Sequence, residues 1–150
     1  MNTVYVDTSV FGGCFENEFS DSILGLFNEF KRGKKKMMIS ELVREELNDA
    51  REEVKKQVTK VPKLFKVEVK QTVKAEQLGM MYVEAGALGY KSLSDAYHVA
   101  MATLHGADIL ASWNFKHIVN KEKIELFNYI NQKMGYRNIK IRTPQEILNP

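Results

Sequence analysis

The sequence predicts an α/β protein, an open and mostly parallel sheet covered by helices on both faces. Short apolar, β-branched runs recur along the chain, segments of helical period separate them, and the connections between are brief. Sites in such folds lie where strands end, at the carboxyl edge of the sheet.

Thr3-Val4-Tyr5-Val6 reads as a buried strand that delivers the polar turn Asp7-Thr8-Ser9. After Ser20, an expected N-cap, Ile23, Leu26, Phe27 and Phe30 recur at helical spacing until Gly33 supplies a stop. Met37-Met38-Ile39 is a second strand. Ser40 then caps a helix expected to run to about Ala50, with Leu42, Val43, Leu47 and Ala50 on one stripe. Arg51 to Lys74 holds eight basic residues against three acids and reads as a basic face, within which Leu64 to Val69 alternates as a strand. Ala75, Leu78, Tyr82 and Ala85 mark a long helix ending near Gly89. The next starts around Ser94, carries Ala96, Val99, Ala100 and Thr103, and stops at Gly106. Asp108 to Ala111 is a strand running into Ser112-Trp113-Asn114. Asn120 caps a further helix with Ile124, Phe127, Ile130 and Met134 apolar, and Ile139 to Ile141 is the last strand. Thr143-Pro144-Gln145-Glu146 has a capping-box pattern with Pro at the first helical position.

The length, 150 residues, suits one domain able to bury about 70% of its extended surface. With 44% hydrophobic and 27% charged residues the chain is expected to fold alone, and disorder and collagen-like repeats are excluded. Cys14 is the single cysteine, which rules out an intramolecular disulfide, a zinc ribbon and a CxxC redox site and fits a reducing compartment. No apolar run approaches the roughly 20 residues of a membrane span, and no basic segment precedes the first apolar stretch, so a cytoplasmic protein without membrane partners is expected. A net charge of +3 is too small to announce nucleic-acid binding by itself.

Carboxylates carry the chemical signal. Asp7 directly follows an apolar strand, where a turn or capping aspartate fits as well as a site residue. Glu46 is spaced with Leu42, Val43 and Ala50, which predicts a carboxylate on the core-facing stripe that must meet a cation, a donor set or a proton; a buried arginine is the structural alternative. Asp95 stands at a helix start, where the dipole alone favours it, and Val99 at i+4 lets it lean inward. Three acids brought within a few ångströms at one sheet edge would repel, each pair by about 4 kcal/mol at about 4 Å and an effective dielectric of about 20. A divalent cation reverses that cost, and all-oxygen coordination selects Mg²⁺ or Mn²⁺. Such ions activate water in phosphodiester cleavage.

These residues resemble the PIN-domain nucleases, which include the VapC-type toxins of toxin-antitoxin pairs. Val4-Tyr5-Val6-Asp7-Thr8-Ser9 is similar to the family's opening strand and first acidic residue, Ile39-Ser40 through Glu46-Leu47 to its second acidic motif, and Leu93-Ser94-Asp95-Ala96 to its third. Ala107 to Phe115 resembles the fourth, and Thr143 to Leu148 the closing segment. The resemblance implies a three-layer α/β/α fold across residues 1–150 and Mg²⁺- or Mn²⁺-dependent cleavage of RNA. Asp7, Glu46 and Asp95 would hold one metal, and Asn114 would orient water or add a ligand. Asn114 stands where the family often has Asp, and it brings an oxygen without a charge. An antitoxin partner and homodimerisation are likewise implied. Ser9 and Ser112 either tune the acids by hydrogen bonding or stabilise turns.

The departure at Asn114 motivates an alternative, a weakly active or inactive module of the same fold that binds RNA or protein. A DNA-directed or structure-selective nuclease is a third reading. The Arg51 to Lys74 face is the better candidate for phosphate contacts, while Lys31 to Lys36 reads as a solvated turn. Trp113 and His117 either line a groove or pack, and Phe65 packs in the core. His98 and His105, seven apart, lack zinc-helix spacing and read as structural. Gly86 to Ser92 lacks the spacing of a phosphate loop, no G-x-S-x-G elbow appears, and Cys14 has no His-Asn context.

Overall fold

The computed structural model describes residues 1–12 and 20–150. Cys14 lies outside the described residues, as does the side chain of Ser20 and with it the expected cap. Strands β1 (Thr3–Val6), β2 (Lys36–Ser40), β3 (Lys66–Val69), β4 (Ile109–Ala111) and β5 (Lys140–Arg142) form one sheet in the order β3-β2-β1-β4-β5, every pair parallel. The helices are α1 (Thr8–Gly12), α2 (Ser20–Lys31), α3 (Glu41–Glu46), α4 (Glu52–Lys60), α5 (Val73–Glu84), α6 (Leu93–Leu104), α7 (Lys121–Lys133) and α8 (Pro144–Leu148). They make the molecule a three-layer α/β/α fold. Val4, Tyr5 and Val6 of the central strand are fully buried, as a strand covered on both faces requires.

Caps set most boundaries where the sequence places them. Ser40 Oγ accepts from the Val43 N–H, Asn120 Oδ1 from the N–H groups of Glu122 and Lys123, and Thr143 forms the full capping box with Glu146. Gly33, at φ +76°, turns the chain from α2 into β2 under the Phe65 ring, which a Cβ would meet at 2.5 Å.

Four expectations need correction. Helix α3 stops at Glu46 instead of continuing to Ala50, because Leu47 closes it with its N–H on Val43 and the following Asn48-Asp49 favours a turn. Helix α5 ends at Glu84, and Gly86 at φ +86° turns the chain away ahead of Gly89. The basic stretch contains an unforeseen helix, α4, which buries Val54, Gln57 and Val58 and is tied to β3 by Lys66 Nζ donating to the Val58 carbonyl. Met134 caps α7 in an exposed position and takes no part in the core.

The topology locates the site. From β1 the chain builds β2 and β3 on one side, then crosses back to lay β4 and β5 on the other. The carboxyl ends of β1 and β4 therefore flank the switch point, where open α/β sheets bind their ligands.

Candidate active site

Asp7 follows β1 and is 2% exposed. Ser9 Oγ donates to its Oδ1 and Ser112 Oγ to its Oδ2, each at 2.6 Å. Ser9 Oγ accepts from the Trp113 N–H at 3.0 Å and Ser112 Oγ from the Asn114 N–H at 3.0 Å, so the loop after β4 is held in its own turn and laced onto Asp7 and the first turn of α1. Burial pushes the Asp7 carboxyl above its usual value, and the nearby His98 imidazole and the two serine hydroxyls only partly offset this.

Glu46 is the last residue of α3. Its early termination puts the carboxylate at the rim of the site and not on the core stripe, with 31% of the side chain exposed. Oε1 lies 2.6 Å from Thr8 Oγ1 and 2.6 Å from His98 Nε2. Burial works to raise its pKa, but the His98 imidazole and the hydroxyls of Thr8 and Ser94 prevail and hold it below the usual value. Among the described residues no arginine takes the role of partner; His98 does.

Asp95 lies in the first turn of α6, half-buried. Burial raises its pKa and the Glu46 charge adds to the rise, against the opposing influence of His98, His117 and a hydrogen bond from Asn114. Asn114 Oδ1 accepts from the His117 N–H at 3.0 Å, and its side chain acts on the Asp95 carboxyl.

The elements bring all four expected residues to one end of the sheet. Among the described residues none of the three acids is ion-paired with lysine or arginine. Their donor atoms are all oxygens, the type a hard divalent cation takes. Among the described residues, however, no three acidic, imidazole or thiol groups are gathered tightly enough to hold an ion as they stand. The expected convergence within a few ångströms is corrected to that extent, because Glu46 is drawn onto His98 and Thr8.

His98 is the residue that sequence reasoning missed. Only 2% exposed, it sits between Glu46 and the core, with Nε2 2.6 Å from Glu46 Oε1 and Nδ1 2.7 Å from the Tyr5 hydroxyl. Its place three residues after Asp95, on the same face of α6, was the available signal. His105 Nε2 lies 2.8 Å from the Lys70 carbonyl. Trp113 is half-buried against the core with its ring 5.7 Å from the exposed Phe115. Asp108 sits at the opposite, amino edge, accepting from the Thr3 N–H. On the basic face Lys55 is paired with Glu52, and Glu68 of the same stretch is paired with Arg44 of α3.

No family model matches the chain, and no curated protein matches it in sequence. Solved structures do. The chain superposes on VapC20 of Mycobacterium tuberculosis, a sarcin-ricin loop cleaving toxin, with a TM-score of 0.58 and 15% identity, over 91% of this chain and 98% of that one. It also superposes on a chain of VapBC2 from Rickettsia felis bound to a DNA fragment from their promoter, with a TM-score of 0.55, 14% identity and coverage of 94% and 98%. DNA-bound VapBC from Salmonella typhimurium gives 0.55 and 16% over 96% and 99%. The chain therefore has the PIN-domain fold of the VapC-type toxins.

Proposed function

We propose that the chain is a Mg²⁺- or Mn²⁺-dependent endoribonuclease and the toxin of a toxin-antitoxin pair. One observation supports the reading: three carboxylates lie at the switch-point end of the sheet with no lysine or arginine paired to any of them among the described residues, two of them raised by burial. Charge that is costly there is what a hard divalent cation stabilises. Asp7, Glu46 and Asp95 would hold it, with Asn114 adding an oxygen or orienting water. When bound, such an ion supplies an activated water and charge to stabilise the leaving oxygen. Around it, Ser9 and Ser112 fix both oxygens of Asp7, while Thr8 and His98 fix Glu46, so the acids are aimed before any substrate arrives.

The likeness to a sarcin-ricin loop cleaving toxin and to VapBC assemblies supports RNA as substrate and an antitoxin protein as partner. We extend the reading to a homodimer, to residues 1–150 acting as one catalytic domain, and to the cytoplasm without membrane partners. Among the described residues no helix is long and apolar enough to cross a membrane.

Asn114 favours one second reading. Its Oδ1 accepts from the His117 N–H and its side chain brings no charge, as expected of a weakly active module that binds RNA or protein. Cleavage of single-stranded RNA and of a sarcin-ricin loop substrate separates the two. The nuclease cuts with Mg²⁺ or Mn²⁺, stops in EDTA, and is inactive as Asp7→Asn. Binding without turnover under every ion condition would leave the second reading standing and remove the first.

A further inference from the structure

We infer that His98 is a positioning residue for Glu46, locked in one orientation and tautomer by a buried chain of hydrogen bonds through Tyr5 and Ser40. The inference deepens the metal-dependent reading above and rests on it for its functional consequence.

Tyr5 lies in the central strand and is fully buried, where a phenylalanine would fill much the same volume without a polar atom to satisfy. Its hydroxyl has two partners, Ser40 Oγ at 2.8 Å and His98 Nδ1 at 2.7 Å. Ser40 is 1% exposed. Its oxygen already accepts from the Val43 N–H at 3.1 Å, so its own proton goes to its other partner among the described residues, the Tyr5 oxygen. Burial holds the Tyr5 phenol far above its usual pKa, and the group stays a donor. With Ser40 donating to it, Tyr5 gives its proton to His98 Nδ1. Nδ1 is then the acceptor, Nε2 carries the hydrogen, and Nε2 donates to Glu46 Oε1 at 2.6 Å.

The donors run in one direction, from the first turn of α3 through β1 and α6 to the carboxylate that ends α3. The same short helix is thus pinned at both ends by one chain of bonds. A flipped tautomer would turn a lone pair on the carboxylate and release it. Outer groups of this kind are worth about 10- to 100-fold in metal affinity.

The tautomer is read in nitrogen–proton NMR spectra of ¹⁵N-histidine-labelled, metal-free protein, and Mn²⁺ affinity by calorimetry. The unaltered chain is expected to show His98 as a single Nε2–H tautomer. Tyr5→Phe should give a mixture and weaken Mn²⁺ binding about 10- to 100-fold. His98→Gln, whose amide can restore a donor near the Nε2 position, should bind Mn²⁺ more tightly than His98→Leu, with melting curves confirming that each variant folds. An Nδ1–H tautomer in the unaltered chain overturns the inference. So does a Tyr5→Phe variant that keeps both tautomer and affinity, or a His98→Gln no better than His98→Leu. Should the unaltered chain bind no Mn²⁺, the metal-dependent reading falls on its own, and the tautomer spectrum still decides the lock.

Discussion

Ser112 Oγ donates to Asp7 Oδ2 at 2.6 Å, a bond that joins the ends of the two strands flanking the switch point. Together with Ser9 it gives Asp7 hydrogen-bond partners but no countercharge. The serines satisfy lone pairs, yet the desolvation cost of the carboxylate remains, and it shows as the upward pKa shift. The fold therefore holds a charge it would be more stable without, as sites built for an absent cation do.

Asp7→Asn removes that charge and keeps the shape. In EDTA the variant should be more stable than the unaltered chain, by about 0.5–2 kcal/mol. Each 1 kcal/mol appears as about 2–4 °C in Tm for a domain of this size. RNA cleavage should be lost in the same variant. A drop in Tm would mean that Asp7 is held for structure and not against its own charge.

The same shifts set the sign of the pH dependence. Asp7 and Asp95 have folded pKa values raised above the ordinary 3.8, so the native state still binds protons where the unfolded chain has lost them. Their contribution is fullest below that value and is lost as pH rises toward the raised values. Glu46 acts oppositely: its folded pKa is lowered, so its contribution is present above its ordinary 4.5 and is lost as pH falls through the folded value. Urea midpoints in EDTA for Asp7→Asn should accordingly fall less on raising pH above about 4 than those of the unaltered chain. Equal slopes for the two proteins would contradict the assignment.

Ser112→Ala strips one oxygen of Asp7 of its donor and leaves the Asn114 N–H without its acceptor. Leaving such groups unsatisfied costs about 1–3 kcal/mol. A melting temperature unchanged from the parent would show that the loop after β4 is not held by these bonds.

What was legible in the sequence was local. Thr3 to Val6, the Ser40 and Asn120 caps and the Thr143 box each announce themselves within a few residues, and the structure has all of them. Helix α4 was hidden because seven of its nine residues are polar or charged, although Val54 and Val58 carry the i, i+4 signal. The rim position of Glu46 depends on where α3 stops, and the role of His98 depends on Tyr5 and Glu46, 93 and 52 residues away in sequence. Periodicity has no term for such partners. It marked Glu46 as unusual and left the identity of its partner to the fold.

Asn114→Asp tests whether the fourth position shares an ion with the third. The carboxylate can still accept from the His117 N–H, but toward Asp95 it replaces a donor with a like charge. In EDTA the added like charge beside Asp95 should lower the Tm. With a divalent ion the sign reverses, because affinity at oxygen sites rises with the number of charged ligands; Mn²⁺ should bind about tenfold more tightly. The two effects together predict a larger stabilisation by Mn²⁺ in the variant than in the parent, since an ion that binds only the native state stabilises it according to its affinity. A variant destabilised in EDTA but with unchanged Mn²⁺ affinity would place Asn114 beside Asp95 without a role at the ion, and the second metal-ligand position would have to be sought elsewhere.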